Sequence, residues 1–228
     1  MAKYFTAELY RFFDELIANN NRLWFNANKE RYIEWVRDPM SRFIIAMQEP
    51  LSRISAHIVA DPRPVGGSMF RIYRDTRFSK DKTPYKSHAA SHFRHTVGRD
   101  VHGPGFYFHL GPDKNEVGGG IWRPETAVAR QIRQRIVDHP RQWEKIVGDV
   151  AFVARFGGLQ GEQLKRVPRE YDPDHPFGDD LRRKDFVVSV SLTRKQITGN
   201  GLVEEMSAIF AAMSPLMGFI AKAIGLPW

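Results

Sequence analysis

Residues 71–86 read RIYRDTRFSKDKTPYK, sixteen positions of which six are cationic, two acidic and three aromatic. Arginine presents a planar fork of N–H donors that holds a phosphate or carboxylate through two parallel hydrogen bonds. Arg71, Arg74 and Arg77 therefore read as a grip for an anion, with Lys82 and Tyr85 at its rim and Lys86 extending the basic run. Asp75, between Arg74 and Arg77, has two roles open to it. It can fasten one guanidinium by a salt bridge, or act as a general base, a role that flanking arginines weaken by lowering its pKa. Lys80–Asp81–Lys82 has the composition of a turn, and Pro84 restricts the residue before it.

Charge makes this stretch stand out. The chain carries a net +8, and residues 63–102 alone hold nine Lys/Arg against Asp75, Asp81 and Asp100. Such a patch concentrates anionic partners. Three functional readings follow. In the first, a small phosphorylated or carboxylated molecule binds, with or without being transformed, through Arg71, Arg74, Asp75, Arg77, Lys82, Tyr85 and Lys86. In the second, the basic strands bind nucleic acid with Tyr73, Phe78 and Phe93 as stacking partners, although the aspartates interrupt the arginines and no helix-turn-helix or ribonucleoprotein motif is present. In the third, the basic face docks an acidic partner. Against all three stands a structural role, in which Arg71 and Arg74 pair with acids such as Glu8, Asp14 or Asp172 and tie a helical layer to a sheet.

Other constellations are weaker. His88, His92 and His109 could share one sheet face with Asp75 as an oxygen ligand, but no known zinc spacing is present, and no metal is assigned. Gly118–Gly119–Gly120 is neither a phosphate-cradling loop nor a dinucleotide fingerprint, and close backbone approach or a bulge is its expected use. No serine stands in a nucleophile setting. No cofactor is expected, and whether the protein is an enzyme is left open.

The elements that must position these residues follow from periodicity. Phe5, Leu9, Phe12, Phe13, Leu16 and Ile17 recur at helical spacing, and Asn19–Asn20–Asn21 stops that helix. A second helix places Trp24, Asn28, Tyr32 and Trp35 on one stripe, so Asn28 should be partly buried and hydrogen-bonded. Asp38–Pro39 reads as the start of a third helix, kinked at Pro50. The period then changes to two in SMFRIYRDTRF, followed by strands at 86–96, 105–110 and 115–122. Their short connections favour antiparallel pairing, with one wet face carrying Arg71, Arg77, His88, His92, Arg94, Tyr107 and His109. Helices opening at Pro124 and Pro140, the second closed by Gly157–Gly158, precede a last strand, Phe186–Leu192, in which apolar residues alternate with serines. Residues 206–221 carry no charge, but they are shorter than the roughly 20 residues a membrane span needs and contain Pro215, so a buried C-terminal helix pair within 202–224 is expected, with no membrane partner. The fold class is α+β: a largely antiparallel sheet with helices packed mainly on one face, in a single domain spanning residues 1–228.

The central segment resembles the signature of the mainly bacterial family catalogued as domain of unknown function 2461. Arg71, Arg74, Asp75, Arg77, Phe78, Asp81, Lys82 and Tyr85 match that signature without a gap. NNNRLWFNANKERY, with Trp24, Phe25, Asn28 and Tyr32, also resembles the family, as does LKRVPREYDPDHPFGDDLRRKDF from Leu164 to Phe186. The resemblance implies one domain over nearly the whole chain and brings no activity, substrate or catalytic residue with it. Composition agrees with a folded domain, at 42% hydrophobic and 12% aromatic residues. The absence of cysteine excludes a disulfide framework, a thiolate zinc site and a thiol nucleophile, and fits a cytoplasmic address. The opening MAKYFTAELY lacks the pattern of a secretory signal peptide.

Overall fold

Burial of the N-terminal aromatic residues sets the first layer. In a computed structural model that describes residues 2–97 and 103–228, Thr6 caps the first helix, α1 (Ala7–Ala18), through its side chain. Leu9, Tyr10, Phe12, Phe13 and Leu16 face inward, while Ile17 lies on the solvent side. Asn19 ends α1 without entering the left-handed region, at φ −133°. Asn21 then caps α2 (Arg22–Ala27) by accepting from the Trp24 N–H at 3.0 Å. Asn28 is half-buried and bonded as its stripe position demands, donating to the Trp24 carbonyl and accepting from Arg31.

From α3 (Lys29–Tyr32) the chain passes through a π-helical turn, Ile33–Arg37, directly into α4 (Asp38–Ala46). Asp38 consequently caps nothing: Arg37 before it is already helical, and Asp38 pairs with the Arg37 side chain at 2.8 Å. The expected break near Pro50 comes earlier, at Met47, and Pro50 sits in the first turn of α5 (Gln48–Ile54), where a missing N–H costs little.

Five strands follow in sheet order, β1 (Ile58–Val59), β2 (Ala89–His95), β3 (Gly105–Leu110), β4 (Asn115–Ile121) and β5 (Phe186–Ser191), every neighbouring pair antiparallel. The segment 70–77 is not one of them. Its alternation is real, but it pairs only through isolated bridges, Met69 with Ser91 and Tyr73 with Tyr85. Residues 71–86 thus form an irregular arch whose two legs meet at that second bridge, reinforced by backbone bonds from Arg74 to Pro84 and from Lys86 to Ile72.

One face of the sheet is the core. Rows such as Phe93–Phe106–Gly119–Val188 run across it. The final helix, α11 (Leu202–Ala223), packs there after α6 (Thr126–Asp138), α7 (Pro140–Val147), α8 (Val150–Phe156), α9 (Gly178–Leu181) and α10 (Arg194–Ile197). Phe210 of α11 stacks on Phe106 at 4.4 Å between ring centroids. A Cβ on Gly119 would come within 2.9 Å of the Met213 sulfur, so the bare backbone there lets the helix approach. Phe5 and Phe43 pack on Phe108 of the same face. The Pro140 segment is two helices rather than one, and Val150 is exposed. Conversely, α11 is one unbroken helix, Leu202–Ala223, not a pair. It is long and apolar enough to cross a membrane by those two measures. Within the fold its Leu202, Met206, Phe210, Met213, Leu216 and Met217 are fully buried, and it packs on β4, α5, α6 and α7.

Candidate functional site

The opposite face of the sheet is open, and the strand register fixes what it displays. Three rows cross it: Arg94–Gly105–Gly120–Val187, His92–Tyr107–Gly118–Ser189 and Ala90–His109–Glu116–Ser191. His92, Arg94, Tyr107 and His109 share this face as their alternation predicts, and His88 joins them from the turn before β2. Arg71 and Arg77 do not, because the arch carries them off the sheet.

A cleft of about 650 Å³ lies over these rows. Gly118 and Gly120 form its bare floor, Phe70 and Lys86 line one side, and Trp122, Gln160 and Val187 line another. The far wall is a long-range construction. Gln160 bridges to Val187, and its side-chain oxygen accepts from the Ser189 hydroxyl at 2.6 Å. Asp185, 2% exposed, accepts from the Arg123 N–H at 2.7 Å and from the Glu162 N–H at 2.9 Å, which fastens the chain on either side of that wall. Arg123 is held at φ +46°, the one non-glycine residue with positive φ among those described. Trp122, Gln160 and Asp185 were not singled out from the sequence. Only the serine alternation of β5 pointed toward this face.

Titratable groups in the cleft are held neutral or desolvated. Burial, with the neighbouring His109 and Lys86 adding to it, pushes His88 down to about 4. The His88 and His109 rings stack at 4.2 Å, and burial lowers His109 as well. Burial pushes the Tyr107 phenol up to about 12, so it keeps its proton, and its hydroxyl is hydrogen-bonded with His109 Nδ1 at 3.1 Å. His109 Nε2 is buried without a hydrogen-bond partner among the described residues, the Asp113 carboxylate standing 3.8 Å off. Lys86 Nζ lies over the Phe70 ring at 5.2 Å and donates to the Arg71 carbonyl at 2.9 Å. Burial lowers its pKa from 10.5, and the Arg71 charge lowers it further. Lys114, the other lysine of the cleft, is paired with Glu116.

The arginine segment has a different character. Arg77 pairs with Asp75 at 2.7 Å, and Arg74 is bonded to both Asp81 and the Thr83 hydroxyl. The partners are therefore local carboxylates, not Glu8, Asp14 or Asp172. These bonds hold Asp75 and Asp81 each down to about 2, Asp75 chiefly through the Arg77 side chain and Asp81 chiefly through the Thr83 backbone N–H and then Arg74. Lys82 Nζ donates to the Thr76 carbonyl at 2.8 Å across the arch. Tyr85 is not at a rim. Its ring is 3% exposed and stacks on Phe25 at 4.0 Å, and Asn20 clamps its backbone from both sides. Phe93 is fully buried in the core face and offers no ring for stacking on a base, whereas Tyr73 and Phe78 are exposed. Of the seven residues read as a ligand grip, Lys86 alone lines the cleft. Asp75 stands apart from the histidines, and no group of three metal-ligating side chains occurs among the described residues. Arg99 and Asp100 of the basic stretch lie outside the described residues.

The model of the family described as a conserved hypothetical protein, DUF2461, matches residues 8–219. No curated protein and no solved structure matches the chain.

Proposed function

The chain belongs to this conserved hypothetical family, whose description carries no activity, and from the geometry alone we propose that it binds a small molecule bearing a carboxylate or phosphate in the cleft over the open sheet face. The observation that carries this reading is Lys86. Among the described residues it is the one lysine of the cleft with no carboxylate within salt-bridge distance, and it is partly desolvated there. A half-buried ammonium without a counter-charge is a standing invitation to an anion, which would relieve the desolvation that lowers its pKa. The volume of about 650 Å³ suits a ligand of metabolite size, for which clefts of roughly 300–1,000 Å³ are usual. The body of the ligand would lie on Gly118 and Gly120, between Phe70 and Trp122, and Ser189, Gln160 and neutral His88 supply hydrogen bonds without competing charge.

A thermal-shift panel of carboxylates, phosphates and nucleotides tests the reading, because a ligand that binds only the folded state raises the melting temperature by mass action. At least one class is expected to stabilise the protein saturably. Lys86→Gln should abolish that shift, and Gly118→Val should abolish it by filling the floor. The wild-type affinity should also weaken as pH rises through the lowered Lys86 pKa. A panel without a saturable hit, or a hit that survives both substitutions, overturns the proposal.

A further inference from the structure

The arch 71–86 ends in a feature that the cleft does not explain: Phe78 is 96% exposed at its tip. A single exposed apolar side chain is ordinary on a protein surface, and Phe78 draws notice for what stands beneath it. The bonds beneath it are those of a rigid support. Asp75 holds Arg77, Asp81 holds Arg74 and caps the Thr83 N–H at 2.9 Å, and Lys82 ties the tip back to Thr76. The Tyr73–Tyr85 bridge closes the legs, and the stack of Tyr85 on Phe25 anchors them in the core. The charges of the motif build a stiff loop, and the loop displays Phe78.

From the tip back to the bridge between its legs, the arch carries a second exposed ring and several cations. Tyr73 is 51% exposed. Arg22, Arg71 and Lys80 are exposed and make no side-chain hydrogen bond or ion pair among the described residues, and the Arg77 guanidinium lies 5.8 Å from the Phe78 ring. The Arg22 charge reaches Tyr85, and the Arg71 charge reaches both Asp75 and Lys86, which places these free cations around the base of the arch. Exposed aromatic faces interleaved with unpaired cations are the chemistry that binds single-stranded nucleic acid: bases stack on the rings while phosphates meet the cations, with little dependence on sequence. One phenylalanine buries too little apolar surface to hold a bilayer by itself. We propose that the arch, from its base to its tip, binds single-stranded DNA or RNA, with Phe78 and Tyr73 as stacking platforms and Arg22, Arg71 and Lys80 as phosphate contacts. This site lies on the arch and not over the open sheet face.

Fluorescence anisotropy with a labelled oligothymidine, titrated at several salt concentrations, provides the test. The wild-type protein should bind at low salt and release as salt rises. Phe78→Ser, at a position that supports no packing, should weaken binding roughly five- to one-hundred-fold without changing the salt slope. Lys80→Gln should lower the slope by about 0.7, the value expected for one phosphate contact on a single strand. Gly118→Val, which fills the cleft, should change neither. An oligoribouridine of the same length separates an RNA preference from a DNA one, either result supporting the site. The proposal is overturned if the wild-type protein does not bind, if Phe78→Ser binds as tightly as wild type, or if Phe78→Ser instead abolishes binding to phosphatidylserine vesicles while leaving the oligonucleotide bound.

Discussion

The arch and the cleft contain the same kinds of side chain and use them in opposite ways. In the arch each aspartate lies within a few residues of an arginine, and the pairs close on themselves. In the cleft Lys86 is drawn off the arch to a place where no carboxylate reaches it, and the nearby histidines are stripped of charge by burial. Counting cations is therefore a poor guide to where an anion binds, because only those without a carboxylate are open to one. An exposed guanidinium with its own carboxylate gains little from a ligand, because the exchange replaces one ion pair with another in water. A desolvated ammonium without a counter-charge gains a great deal. The paired Arg74 and Arg77 serve to build the arch, and the ammonium in the cleft remains without a counter-charge.

The sharpest way to break this contrast is at Tyr85, which the sequence places in a grip and the structure places in the core. Tyr85→Ala should destabilise the protein by about 3–5 kcal/mol, the usual loss for deleting a buried ring, measured by urea denaturation. Tyr85→Phe should cost far less, since the backbone and not the hydroxyl of Tyr85 makes its contacts with Asn20. If Tyr85→Ala left stability nearly unchanged, the arch would not be anchored to the core, and its charges would have to be read as a ligand site again.

A smaller effect distinguishes the cleft. His88 titrates near 6.5 when unfolded and at about 4 in the fold, so between those values the unfolded state binds more protons. Stability should thus be intact above pH 6.5 and fall as pH drops toward 4, with His109 contributing in the same direction. Lys86, Lys114 and His109 oppose the charging of His88 and Asp113 favours it, and the balance together with burial fixes the sign. His88→Phe should flatten the dependence. Two-dimensional NMR titration of the imidazole checks it directly, and a midpoint near 6.5 would show that the cleft is not desolvated.

The contrast also explains which features were legible in the sequence. The strands 105–110 and 115–121 could be located almost to the residue, because their alternation is enforced by a core on one face. The same alternation in 70–77 misled: a period of two requires only that side chains point both ways, and here local ion pairs and Pro84 shape an arch instead of a ladder. Arg74 pairs not with the distant Glu8, Asp14 or Asp172 that its charge suggests but with Asp81, seven residues away, where closing the loop costs less entropy. His92, Tyr107 and His109 could be placed together from their register. Trp122 and Gln160 could not, since the wall they form depends on Asp185 joining segments far apart in the chain. Pro215 suggested a break, yet α11 continues through it because packing on both sides outweighs one missing hydrogen bond.

The finest test of the contrast removes a charge rather than adding one. Asp75 is exposed and held at about 2 by Arg77, so its contribution to stability is present above its ordinary 3.8 and disappears as pH falls toward 2. At neutral pH, Asp75→Asn should hardly alter the melting temperature, because both partners are exposed, at 48% for Asp75 and 77% for Arg77, and such pairs contribute little. What should change is the anion chemistry of the arch. With its internal carboxylate gone, the Arg77 fork is free to take up an oxyanion from solution. Arginine side-chain NMR signals should therefore respond to added sulfate in Asp75→Asn and stay unmoved in the wild type. If the wild-type Arg77 signal already shifted with sulfate at modest concentration, the carboxylate would not be satisfying the guanidinium. Arg77 would then join Lys86 as a cation open to an anion, and the distinction between paired and unpaired charge would fail.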